Sequence, residues 1–195
     1  NTPAAPRVSS PTHPDPDQWY PLKTAKFTWS LEKGITGTRI IVTRFANANP
    51  NKTYTPAIDS KEITDLEEGI SHFNVQLRNK SGWGEVAYFR FQVDTVPPDS
   101  LTIVEVERKR LTESKVKFIL NASDQTSGID HYEIQIDRAV AGVWKDDGSH
   151  TYETSVLDPG EHTLDVKAVD KAGNFVAKSH KFSVEKREIS LLLIL

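Results

Sequence analysis

Three sets of side chains in this sequence have types and spacings that could do chemistry. The first is acidic: Asp124 and Asp130 in "DQTSGID", Asp170 in "DKAGN", and Asp94 and Asp99 in "VDTVPPDS". Hard carboxylate oxygens gathered from several loops suit Ca²⁺, which extracellular modules bind at roughly 10⁻⁴ to 10⁻³ M. The same residues are turn formers, because Asp accepts hydrogen bonds from turn amides and Gly and Asn tolerate positive φ. "DKAGN" therefore reads as a hairpin or as part of a metal loop, and solvated loop acids are the plain alternative, since no EF-hand spacing supports a metal. The second set is aromatic. Trp19 and Tyr20 sit in the Pro-rich "PTHPDPDQWYP" and Trp83 in "NKSGWG"; exposed rings there could stack on sugars, or Trp19 or Tyr20 could plug the open end of a core while Trp29 and Trp144 lie inside it.

The third set argues against catalysis. The six histidines, His13, His72, His131, His150, His162 and His180, show no metal-ligand spacing and no nucleophile elbow, and no glycine-rich phosphate loop is present. A glycosidase would need two carboxyls held about 5 to 10 Å apart in a cleft, which small sandwiches rarely supply. The sequence thus predicts no enzyme and no catalytic residue.

Composition sets the outer limits. The chain has 195 residues, 37% hydrophobic and 26% charged, in the range of a folded protein of one large or two ordinary domains. A net charge of −3 offers no field for a phosphate backbone, so nucleic acid is not expected as a partner. With no cysteine there are no disulfides and no Cys-type zinc sites. No methionine stands at position 1, which leads us to expect a piece of a longer protein, with no signal peptide to read.

A repeat organises the rest. Shifting the chain by 91 positions lays "GISHFNVQLRNKSGWGEVAYFRFQVD" (69–94) on "GEHTLDVKAVDKAGNFVAKSHKFSVE" (160–185), and the same shift pairs Phe27 with Phe118, Gly37 with Gly128 and Leu66 with Leu157. Two copies of one domain are expected, 1–95 and 96–187, divided at "VDTVPPDS", where two prolines end a strand. Within each copy apolar residues alternate with polar ones, as in Phe73, Val75 and Leu77, which predicts strands with one buried face. We place strands near 25–31, 38–45, 61–66, 70–79 and 85–94, then near 101–107, 115–122, 130–137, 140–145, 151–157, 161–170 and 175–184. No stretch carries a helical period, so the expected class is all-β: two tandem antiparallel β-sandwiches of about seven strands.

"LDPGEHTLDVKAVDKAGN" (157–174), with "DQTSGIDHYEIQID" before it, resembles the bacterial immunoglobulin-like modules that occur in tandem on secreted and surface-anchored proteins. The first copy, through "GWGEVAYFRFQVDTVPP" (82–98), is similar to such repeats in bacterial envelope proteins. Fibronectin type III is the near neighbour, but the tyrosine it carries after the "LDPG" glycine is replaced by Leu164, and by Phe73 in copy one. In immunoglobulin order, the loops holding Asp124, Asp130 and Asp170 and the linker with Asp94 and Asp99 share one pole of copy two. Copy one has Lys33, Arg39 and Asn79 at that pole, so a calcium site would exist once.

The resemblance implies an extracellular or cell-surface location and a mechanical role: a stalk presenting a distal domain, with other domains of the same polypeptide as partners. The alternative is a module binding glycan or a surface protein through Trp19, Tyr20 and Trp83. The sequons at Asn51, Asn79 and Asn121 match by three residues only and sit in a bacterial resemblance. Residues 188–195 break the pattern with an apolar run from Leu191. Either a membrane anchor cut short or a terminal strand pairing with a neighbouring edge fits it; five apolar residues do not span a bilayer, which takes about 20. We favour the anchor, as the one route to a membrane.

Overall fold

The computed structural model describes residues 1–188; the anchor expected from Leu191 lies outside them. The chain divides into two units, Asn1–Val96 and a second beginning at Pro97. Among the described residues there is no helix, and so none long and apolar enough to cross a membrane.

The first unit contains β1 (Val8–Ser9), β2 (Trp19–Tyr20), β3 (Ala25–Trp29), β4 (Gly37–Thr43), β5 (Lys52–Tyr54), β6 (Ser60–Ile63), β7 (Gly69–Asn79) and β8 (Gly82–Val93). They form two sheets, β1-β3-β6 and β2-β8-β7-β4-β5, antiparallel except that β2 runs parallel to β8. Alternation places Phe27, Phe73 and Phe91 between the sheets with no exposure. The Phe27 and Phe73 rings stack at 4.1 Å and Phe91 leans on Phe27 at 5.2 Å; each such ring contributes about 1.5–3 kcal/mol on leaving water. Trp29 is buried with them, and its indole N–H donates to the Ile58 carbonyl at 2.8 Å, so its one polar atom is satisfied.

The second unit contains β9 (Ser100–Glu105), β10 (Lys117–Ser123), β11 (Ile129–Ile136), β12 (Gly142–Trp144), β13 (Thr151–Glu153), β14 (Gly160–Asp170) and β15 (Phe175–Val184). Its sheets are β13-β10-β9 and β12-β11-β14-β15, packed around Phe118, Leu120, Tyr132, Leu164, Val166 and Phe182. Trp144 is half-buried at the margin, 5.3 Å from the Tyr132 ring and 5.8 Å from that of Tyr152.

Each unit is thus an immunoglobulin-like sandwich, as the alternation predicts. Strands β5 and β12 lie beside β4 and β11 rather than joining β1-β3-β6 or β13-β10-β9, which distinguishes both units from the constant-type immunoglobulin order. Strands β1, β2 and β5, of two or three residues each, were not among the strands expected from the sequence.

The 91-residue shift needs one correction. Val75 and Val166 match at that shift, but their partners across the ladder are Ile40 and Ile134, which are 94 apart. Copy two has three more residues before its C strand, because Phe27 and Ile40 are 13 apart and Phe118 and Ile134 are 16 apart. Gly37, opposite Arg78 in β4, therefore does not correspond to Gly128, which lies in the loop before β11. The structural counterpart of Arg39 is Glu133 rather than Asp130.

Candidate functional site

The acidic loops of the second unit are built by their own hydrogen bonds. Asp124 follows β10, and its Oδ1 accepts the backbone N–H groups of Thr126, Ser127 and Gly128 at 3.1, 2.8 and 2.7 Å. Asp170 ends β14, and its Oδ1 accepts from the N–H groups of Ala172 and Asn174 while Oδ2 accepts the Asn174 side-chain amide at 2.9 Å. Only Gly173 of the "DKAGN" turn takes positive φ, at 92°; Asn174, expected to share that role, serves through its amide instead. An oxygen of Asp124 and one of Asp170 approach within 4.8 Å of each other. Asp130 is exposed at a bulge in β11 and pairs with His131 Nδ1 at 2.7 Å, a bond that draws the Asp130 carboxyl below the usual range. Asp99 is exposed, and its N–H donates to the Ser123 carbonyl. In the first unit Asp94 is buried at the end of β8, with its N–H on the Tyr20 carbonyl and its Oδ1 accepting from Val96 N–H.

The three aromatic candidates do not come together. Trp19 pairs with Gln92, nine residues along β8 from Trp83, a separation of roughly 30 Å. Tyr20, half-buried, packs at 4.9 Å on the ring of His13 and accepts the Asp15 N–H at its hydroxyl. The plug at that end is His13, which is fully buried, 5.9 Å from the Phe91 ring, with ring nitrogens on Thr12 Oγ1 and the Leu22 carbonyl. Burial holds its pKa below the usual histidine value, against a smaller opposing pull from the Leu22 carbonyl. Nothing in the Pro-rich sequence distinguished His13 from a loop histidine.

Trp83, opposite Arg78 at the hairpin end of β8, carries two guanidinium groups over its ring: the Cζ of Arg39 at 4.0 Å and that of Arg78 at 5.2 Å from the centroid. Arg39 Nε donates to Gln76 Oε1 at 2.9 Å, and the Gln76 amide donates to the Gly84 carbonyl, so the fork is held from beneath. Neither arginine was a sequence candidate. Each neighbours an inward residue, Ile40 or Leu77, so alternation turns both outward; only the strand register shows that they meet.

The remaining histidine of note is His162 on β14. Its Nδ1 faces Asp137 Oδ2 at 2.9 Å and its Nε2 the Asp158 carbonyl at 2.8 Å. With an acceptor at each nitrogen the doubly protonated ring is favoured, and the Asp137 bond, then the Asp158 carbonyl, raises its pKa. A hollow of about 650 Å³ is lined by both signs of charge, among them Glu107, Lys109, Glu113, Lys115 and Glu153.

No family model matches the chain, and no curated protein does. Among solved structures, the fibronectin(III)-like modules of Clostridium thermocellum CbhA are similar at 16% identity and a TM-score of 0.49, over 92% of this chain and 94% of theirs. The first three fibronectin domains of chicken contactin CNTN1 are similar at 16% identity and a TM-score of 0.42, over 94% of this chain and 69% of theirs. The strand order described above is what makes each unit a sandwich of the immunoglobulin-like, fibronectin III-like class. The fold alone does not choose a role for them.

Proposed function

We propose that this chain is a non-enzymatic spacer of a bacterial cell-surface or secreted protein. It acts outside the cell, holding a distal domain of the same polypeptide away from the envelope, with the segment from Leu191 as its membrane attachment. One observation carries this: the loop acids that would build a site are committed to their own turns, three amides on Asp124 and three donors on Asp170. Turns closed this way stiffen the pole of a sandwich and present little that is reactive.

The experiment is to insert the chain between a membrane anchor and a fluorescent reporter and to measure the reporter's height above the bilayer. The height rises with the chain present and stays raised in Asp124→Asn. A reporter that lies at the same height with and without the chain would overturn the proposal.

Calcium is the cofactor to try, with Asp124 and Asp170, whose oxygens lie within 4.8 Å of each other, as its ligands in the second unit. A calorimetric titration that gives heat in the parent and none in Asp124→Asn would establish it, and a titration without heat or thermal stabilisation would retire it. The binding alternative, in which exposed aromatics hold a glycan or surface protein, has one specific observation behind it, the pair of cations over Trp83.

A further inference from the structure

We propose that Arg39, Arg78 and Trp83, on the outer face of the sheet β2-β8-β7-β4-β5, bind an anionic group of an acidic polysaccharide. This goes beyond the spacer role and stands or falls apart from it.

Three observations carry the inference. First, two guanidinium groups lie within about 6 Å of one indole ring, the range in which the ring quadrupole attracts a cation. Among the described residues neither has a carboxylate within 4.0 Å. Like charges set this close without a counter-charge favour an anion between or beside them, and a guanidinium fork fits a carboxylate or sulfate through two parallel N–H bonds.

Second, the arrangement is braced. Gln76 fixes Arg39 through Nε and leaves its four terminal N–H groups for a ligand. Gly37 makes room, since a Cβ there would stand 3.3 Å from Arg78 Nε and 3.6 Å from the Trp83 ring.

Third, the fold does not require it. In the second unit the pair Arg39 and Gln76 becomes Glu133 and Lys167, and the pair Arg78 and Trp83 becomes Val169 and Phe175. There Lys167 lies 4.7 Å from the Phe175 ring and is neutralised by Glu133 at 3.5 Å. The same sheet therefore holds with one cation already paired, and the second, unpaired cation in copy one is surplus to structure. A polysaccharide suits the site better than a polyphosphate. Sugars add ring faces and hydroxyls for Trp83 and Gln76, which a bare phosphate chain does not offer.

The whole protein is to be titrated with a sulfated heparin oligosaccharide, a carboxylated oligogalacturonate, neutral dextran and single-stranded DNA, in 50 mM and 500 mM NaCl. At least one of the two acidic sugars binds at low salt, the arm that binds naming the group, and binding weakens at least tenfold in 500 mM NaCl. The double variant Arg39→Gln, Arg78→Gln loses at least tenfold in affinity. The variant Lys33→Gln, Lys80→Gln, which removes the same charge from exposed turns nearby, stays within twofold. If the arginine double variant melts below the assay temperature, Arg78→Lys serves instead and loses affinity while keeping the charge. The proposal is overturned if neither acidic sugar binds, if the arginine and lysine variants lose affinity equally, or if dextran or single-stranded DNA binds as well as the acidic sugars.

Discussion

The β7–β8 and β14–β15 hairpins differ both in register and in charge: a shift between Gln76 and Arg78 leaves Arg78 opposite Trp83, five residues on, while Val169 lies opposite Phe175, six residues on. In the first unit β7 and β8 turn beside Arg39, Arg78 and Trp83, and the turn itself is held by Asn79, whose Oδ1 accepts the Ser81 N–H. In the second, β14 and β15 turn on Asp170. The loop before β11 closes on Asp124, whose Oδ1 accepts three of its amides. The backbone thus sets where side chains meet, and each copy has filled those places with opposite chemistry: uncompensated cations in one, amide-saturated acids in the other. A glycine of positive φ is common to both hairpins, Gly82 and Gly173, while the turns around them and the charges beside them differ.

That contrast can be broken most severely at the core. Phe27→Ala in the first unit and Phe118→Ala in the second remove equivalent fully buried rings, and each should cost about 3–5 kcal/mol. Hydrogen exchange should show protection lost only in the unit that carries the change; loss in both would contradict two separate cores. Next comes the acidic turn. Asp124→Ala leaves three amides without their charged acceptor and should lower the stability of the second unit by about 2 kcal/mol. Asn79→Ala, which removes one turn acceptor in the first unit, should cost less than half as much, measured by denaturant unfolding.

A smaller effect separates the units by pH. Burial lowers the pKa of His13, and burial followed by the charge of Arg90 lowers that of His72, so both take up a proton less readily folded than unfolded. The unfolded chain takes up protons first, and this unit loses stability as pH falls below about 6.5. His162 is raised chiefly by Asp137, with Asp158 and the Phe182 ring as its other neighbours. Its contribution is fully present below about 6.5 and is lost as pH rises through the elevated folded value. Melting followed between pH 5.5 and 8 should move the two transitions in opposite directions, and His162→Gln should abolish the movement of the second alone. Smallest is the stack itself. Arg78→Gln should change stability by no more than about 1 kcal/mol, which would leave the affinity test of that site readable.

Much of the fold was legible because burial on one face of a strand writes a period of two into the sequence: Phe73, Val75 and Leu77 marked β7, as Leu164, Val166 and Ala168 marked β14. The turns were legible too, since Gly82 and Gly173 sit where positive φ is required. The edge strands β2 and β5 were not; they are held where they pair, β2 on β8 and β5 on β4. Nor was the Arg39, Arg78 and Trp83 stack. Its members are 39 and 5 residues apart in the chain, and only the cross-strand register, which the gapless shift had misplaced by three residues on the C strand, brings them onto one ring.

The central claim is that the chain is the same sandwich built twice, each with its own core. Stretching the whole protein between its ends in a single-molecule trap tests it most directly. Two separate unfolding steps, each releasing about 300 Å of chain as some 90 residues extend, are the predicted result. A single step releasing the entire length, or extension with no discrete step, would contradict it.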